Sequence, residues 1–412
     1  MKNWTLGVWT LGMAAGPCLL AQQAAVKAEP AMGRVAGQVT CADTNAPARF
    51  ALVALEPVPP EKTAESKGPK RDEQPAQRAD TTAMTDLEGH FALEKIPPGR
   101  YYVFGSLAGY VNPLALFNEA QLKELSAETR KQLAAAVPVI DVEPNQVAAV
   151  TLRLERASEV SGTVLYDDGS PAIGLGVQLL RKGKDGKLDE VRTELVGGMF
   201  SSQAMTDDRG RYRVIGAPAG EYTVRVSLRT EKIQLTGLLG EGGTSIDIHN
   251  EDGGALSIYL GNGFRKKDAK LTKVGEGEAA AGLDMTIQIA GLHTVHGTVT
   301  AKRDGHALNK AEVQLVYADD QELVRSVHAD KDGNFTLDYV PEDKYLLKAK
   351  GAADVEEVEV HPYPEMTVRQ DKVLHSYGDA EQPLTVQGDV GKVEVAVPEP
   401  TATASAALSA HP

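Results

Sequence analysis

The sequence is poor in the features that usually announce an activity. Cysteine occurs twice and tryptophan twice in 412 residues, and aromatics of all kinds make up 5%. Trp4, Trp9 and Cys18 all fall within the first 21 residues, which leaves Cys41 as the one thiol of the remainder. A lone thiol forms no internal disulfide, so packing must supply stability, and Cys41 is expected as a small buried strand residue. No later stretch approaches the roughly 18 uninterrupted apolar residues of a membrane span. Positive charge is also in deficit: 43 Lys and Arg against 57 Asp and Glu give a formal charge of −14. Such a balance repels nucleic-acid phosphates and anionic bilayers, so neither is expected as a partner.

What is present points to export and to β structure. One lysine precedes the short apolar run of "MKNWTLGVWTLGMAAGPCLLAQQ", which ends in small residues, so residues 1–21 read as a cleaved export signal. Pro17 occupies the place where a small residue must precede a lipid-modified Cys18, which argues against a lipid anchor. The chain is long enough for two to four cores of about 100–150 residues each. Its 40 glycines and 22 prolines punctuate short runs of Val, Leu, Thr and Tyr, the signature of strands and turns.

One order of signals occurs three times: "TDLEGHFALEKIPPGRY", "TDDRGRYRVIGAPAGEY" and "ADKDGNFTLDYVPEDKY". In each, a proline (Pro97, Pro218, Pro341) lies 11 residues after an aspartate (Asp86, Asp207, Asp330), and a tyrosine (Tyr101, Tyr222, Tyr345) lies 15 after it. Asp and Gly supply a turn, and an alternating strand follows, with Phe91 and Leu93, Tyr212 and Val214, or Phe335 and Leu337 on its core face. Proline then ends the ladder, and Gly99 or Gly220 permits the next reversal; Asp343 stands in that place in the third copy. In the strand after it, Tyr222, Val224 and Val226 should point inward, and Thr223 and Arg225 outward.

Upstream of each motif lies a strand pair that shares a glycine two residues before a valine: Gly37, Gly162 and Gly297. These residues, with the D-x-x-G-x-F/Y and P-x-G-x-Y segments, resemble the carboxypeptidase regulatory-like domain, a seven-stranded sandwich of transthyretin-like (prealbumin-like) topology. The resemblance implies an all-β chain of three tandem antiparallel β-sandwiches, at 33–157, 158–290 and 291–397. A proline- and charge-rich loop at 57–80 should be disordered, and so should the tail at 398–412. A helical insertion is expected at 118–137, with Asn118 placed to cap and Leu122, Leu125 and Leu133 at helical spacing.

The candidate chemistry is thin. Asp330, Asp332 and Gly333 look like the start of a calcium loop, yet no bidentate glutamate follows at the usual place. Asp86 with Glu88, and Asp207 with Asp208, do not keep the ligand spacing, so a structural turn is the preferred reading. His293 and His296 fall on a strand, where residues three apart face opposite sides. None of the nine histidines has a glutamate three residues on, as the zinc carboxypeptidases require, and no H-E-x-x-H, G-x-S-x-G or phosphate-binding glycine loop is present. No catalytic residue, cofactor or metal is therefore assigned. Sugar recognition needs exposed aromatic faces, and Tyr259 and Phe264, flanking the "GNG" at 261–263, are the candidates for ligand binding. The functional expectation is a non-enzymatic exported interaction, adhesion or spacer module whose partner is an envelope protein or a polysaccharide. The alternatives are carbohydrate binding and an accessory part of a peptidase system.

Overall fold

The computed structural model describes residues 31–59, 81–117, 121–122, 125–191, 204–228, 232–236, 245–249, 255–363 and 366–400. The expected export signal, and the expected disorder over 60–80 and 401–412, lie outside the described residues.

The first sandwich is built from β1 (Gly33–Cys41), β2 (Leu52–Pro57), β3 (Thr82–Met84), β4 (His90–Ile96), β5 (Gly99–Ser106), β6 (Val139–Val142) and β7 (Val147–Leu154). Sheets β4-β1-β7 and β3-β2-β5-β6 close on Val35, Val39, Val53, Leu55, Phe91, Leu93, Val103 and Leu152. On β5 the alternation works on both faces. Tyr101 and Val103 enter this core, while Tyr102 and Phe104 turn outward onto Leu133 of helix α1 (Ala127–Ala136), onto Val137 at its C-terminal cap and onto Phe117. Ser126 caps that helix, its hydroxyl accepting from the Thr129 amide at 3.1 Å. Asn118, expected in that role, lies outside the described residues. The sheet outlasts the expected start of the 57–80 loop, since Pro57 pairs with Tyr101 and the Val58 amide donates to Arg100.

The second sandwich comprises β8 (Ser158–Tyr166), β9 (Gly176–Lys182), β10 (Leu188–Glu190), β11 (Ala204–Met205), β12 (Arg211–Ala217), β13 (Gly220–Leu228), β14 (Lys232–Thr236), β15 (Ser245–His249), β16 (Leu256–Tyr259), β17 (Thr272–Val274), β18 (Ala279–Ala280) and β19 (Met285–Ile287). One sheet is β12-β8 with β18 and β19 on the far side of β8, and the other is β10-β9-β13-β16; β14 and β15 form a separate ribbon. Tyr222, Val224 and Val226 point inward as expected. The outward face departs from expectation: Thr223 is fully buried, and Arg225 is held between Gln178 and Glu190.

The third sandwich contains β20 (Leu292–Ala301), β21 (Lys310–Tyr317), β22 (Leu323–His328), β23 (Asn334–Pro341), β24 (Asp343–Tyr363), β25 (Met366–Ser376), β26 (Ala380–Val386) and β27 (Val390–Val397). Its sheets are β23-β20-β27 and β22-β21-β24-β25, with β26 on β24. The first residues of the expected tail are held in place, because Gly378 donates to the Pro398 carbonyl and Arg303 and His375 pair with Glu399.

Pairing is antiparallel throughout, with one exception repeated in every copy. The first strand runs parallel to the last: β1 to β7, β8 to β18 and β19, and β20 to β27. A parallel closure brings the chain into each sandwich at one pole and out at the other. The motif strand β4, β12 or β23 carries a β-bulge, at which Lys95, Gly216 and Tyr339 adopt the same left-handed backbone.

Candidate functional site: the joints between sandwiches

The acidic marks of the motif are turn parts. One carboxylate oxygen of Asp330 accepts from the amides of Asp332 (2.9 Å) and Asn334 (2.8 Å). Asp207 accepts from Arg209 and Arg211, and Asp86 from Glu88 and His90, in the same pattern. The amides of Arg211 and Arg209 hold the Asp207 carboxyl below the usual range. Asp332 contributes its amide to this turn. Among the described residues, no group of three or more His, Cys, Asp and Glu is arranged to hold a metal ion. At the other end of each motif the tyrosine hydroxyl donates four residues back to the proline carbonyl: Tyr101 to Pro97 (2.9 Å), Tyr222 to Pro218 (2.5 Å) and Tyr345 to Pro341 (2.7 Å). His293 lies against Glu342 and His296 against Thr336, so the two histidines have separate partners.

Tyr259 and Phe264 are not free aromatic faces. Tyr259 is 3% exposed, and its hydroxyl donates to Glu322 of the third sandwich at 3.2 Å. Burial pushes that hydroxyl up to about 12, and Glu322 adds to the shift. Phe264 packs against the core, and its carbonyl accepts from the Tyr317 hydroxyl at 3.4 Å. Both residues belong to a joint centred on Arg265. The Arg265 guanidinium lies 4.1 Å over the Tyr317 ring, with its side chain 17% exposed. It pairs with Asp319, with Asp320 at 3.2 Å and with Asp343 at 3.4 Å. Lys267 reaches Asp319 at 2.5 Å, and the Lys266 amide donates to Glu322.

The electrostatics of this joint are self-consistent. Burial disfavours the charge on Arg265, but Asp319, Asp343 and Asp320 outweigh it and raise its pKa. Hydrogen bonds from Lys267 and Arg265 lower Asp319 to about 2. Beneath the ion pairs, the buried apolar residues of the second and third sandwiches form one continuous cluster, while those of the first form their own.

The first and second sandwiches face each other across an open cleft. A cleft of about 380 Å³ separates Leu116, Phe117 and Gln132, from the segment after β5, from Arg181, Lys184 and Asp189 around the β9–β10 turn. In both joints, the segment that follows the corner-tyrosine strand of one sandwich faces the first hairpin of the next. Register confirms the equivalence, since Arg181 pairs with Tyr222 as Tyr317 pairs with Tyr345.

Two exposed features escaped the sequence reading. Phe50 is 61% exposed and held at φ 56°, a region that bulky side chains rarely adopt. In the second sandwich Gly174 takes its place, at φ 71°, and donates to the Thr206 carbonyl as Phe50 does to that of Thr85. Aligning "ARFA" with "AIGL" would have exposed the oddity. The other is a hydrogen-bonded cluster at the base of β24 and β25. His306 lies 2.5 Å from Asp304 through one ring nitrogen and 3.2 Å from Asp354 through the other, and Tyr377 donates to Asp354 at 2.8 Å.

No protein-family model matches the chain, and no curated protein matches it. Solved structures align with it at low similarity. A streptococcal ancillary pilin matches at 12% identity over 89% of this chain and 99% of the pilin, with a TM-score of 0.26. The minor pilin of Streptococcus agalactiae matches at 12% identity over 59% of this chain and 97% of its own, with a TM-score of 0.24. The Bacillus anthracis TIE protein matches at 15% identity over 89% of this chain, with a TM-score of 0.19, and the alignment spans 51% of that protein. The resemblance to the carboxypeptidase regulatory-like domain therefore rests on the motif residues themselves.

Proposed function

We propose that this chain is an exported, non-enzymatic array of three β-sandwiches that works at the cell envelope as a jointed spacer and interaction module. The observation that carries the reading is the Arg265 joint. A half-sandwich of ligand-binding loops would leave its aromatics open, whereas here Tyr259, Phe264 and Arg265 are all spent on fixing the second sandwich to the third. Parallel closure supports the same reading, because it sends the chain from pole to pole through each unit. The test is small-angle scattering of the dilute mature chain beside Arg265→Ala. An extended particle whose maximum dimension changes with the variant supports a jointed spacer; a collapsed particle indifferent to the variant overturns it.

Phe50 gives the carbohydrate reading one specific observation, an exposed ring of the kind on which a sugar stacks. A polysaccharide panel run by affinity electrophoresis decides it. Retardation of the chain that Phe50→Ala abolishes supports sugar binding, and migration indifferent to every glycan removes it.

A further inference from the structure

We infer that the free edge of β7 is an interface between two copies of this chain, in which β7 pairs antiparallel with the β7 of a second copy across a two-fold axis. The inference concerns the first sandwich alone and does not depend on the joints that carry the spacer reading.

β7 closes the sheet β4-β1-β7, and among the described residues its backbone pairs with β1 alone. Natural sheets guard such edges with charges, prolines, bulges or short strands, because the unpaired N–H and C=O groups recruit another strand. The comparable edges of this chain are guarded. β4, across the same sheet, carries Glu94, Lys95 and a bulge. The closing strand of the second sandwich is broken into β18 and β19, of two and three residues. That of the third, β27, exposes Lys392 and Glu394 and pairs with β20 through a register shift. β7 has none of these guards: it runs eight residues in unbroken register with β1, and its first six, "VAAVTL", are uncharged.

The core behind this edge is incompletely covered. Ala148 and Val150 face inward, yet both remain half-buried, whereas Val35 and Val39 of the adjacent β1 are fully buried. On the outer face Val147 is 56% exposed, and Ala149 and Thr151 are exposed too. A strand laid along β7 covers both rows. The composition of β7 selects a second copy as that strand. Antiparallel pairing of a strand with itself must set inward residues opposite inward ones, so the two-fold axis passes through a residue rather than between two. With Ala149 on the axis, Val147 meets Thr151 of the second copy on the outer face, and Ala148 meets Val150 of the second copy on the inner one. Both are small or β-branched cross-strand pairs. Arg153, the strand's only charge, then stands about 27 Å from its counterpart, where salt screens the repulsion. Because the same patch serves on both sides, the contact is isologous and closes at two copies.

The experiment is sedimentation velocity of the full chain over a wide concentration range, with Ala149→Lys, Ala149→Glu and their equimolar mixture. Wild type should pass from monomer to dimer as concentration rises and go no further. Each variant alone sets like charges against each other on the axis and should lose the dimer. The mixture should recover it, since lysine then faces glutamate. A wild type that stays monomeric at every concentration, which would leave the edge to a strand of a different protein, overturns the inference. So do growth beyond dimers, variants that dimerise as wild type does, and a mixture that remains monomeric. The double variants Val147→Lys, Thr151→Lys and Val147→Glu, Thr151→Glu oppose one another in the same way and replace any variant that fails to fold by circular dichroism. The dilute-solution scattering above reads the spacer shape independently, so failure of the dimer and failure of the spacer reading are told apart.

Discussion

Phe335 lies directly across the ladder from Gly297, and its ring fills the space that a side chain at 297 would take. A Cβ built there would come within 2.2 Å of the ring and 2.5 Å of the Val393 carbonyl oxygen. Gly37 repeats the relationship with Phe91 and Val150, and Gly162 with Tyr212 and Leu283. The glycine thus serves both the aromatic pair and the close approach of the closing strand.

Gly37→Ala is expected to destabilise the first sandwich by about 3 kcal/mol, since the added carbon would stand 1.9 Å from the Val150 oxygen and backbone cannot yield cheaply. Urea denaturation should show a lower midpoint for that sandwich's transition with the shared transition of the other two unchanged.

Tyr222→Phe removes a buried hydroxyl that donates to Pro218 without disturbing the ring, and should cost about 1 kcal/mol. A loss of similar size for Tyr345→Phe would show that the corner bond does the same work in each copy; thermal unfolding measures both.

Arg265→Ala removes a ring contact and leaves Asp319, Asp320 and Asp343 facing one another, so the joint should lose about 2 kcal/mol. The second and third sandwiches should then unfold in two separate calorimetric transitions where wild type gives one.

Two pH edges follow from the titratable groups. The Asp319 pKa falls from 3.8 to about 2, so its stabilisation is complete above the higher value and lost as pH drops toward the lower one. His306 shifts the other way, raised chiefly by Asp304 with help from Asp354. Its contribution is complete below 6.5 and fades as pH rises through the raised value. Proton NMR should place the His306 midpoint above 6.5, and acid should loosen the joint while alkali loosens the base of β24 and β25. Arg303 and Tyr377 also border this cluster, and the double variant Asp304→Asn, Asp354→Asn should return the histidine to its ordinary midpoint.

The sandwich grammar was legible in the sequence because each of its parts is local. An Asp carboxylate reaches amides two and four residues on, a tyrosine reaches a carbonyl four residues back, and strand alternation needs no distant partner. The joints were not legible, since Arg265 meets its carboxylate partners 54 to 78 residues away. Alternation says which face of a strand avoids the core but not what lies over that face. For that reason Thr223 was expected outward and is buried, and Tyr259 was expected to be free and is covered.

The parallel pairing of first and last strands has a mechanical consequence. Tension applied along the chain pulls those two strands in opposite directions along their own axes, so the hydrogen bonds between them are sheared together rather than peeled one at a time. Eight residue pairs resist this in β1 with β7, and six in β20 with β27. In the second sandwich the resistance is divided between two pairs in β18 and three in β19. Under a stretching load the middle unit is therefore the fuse, extending first and shielding its neighbours.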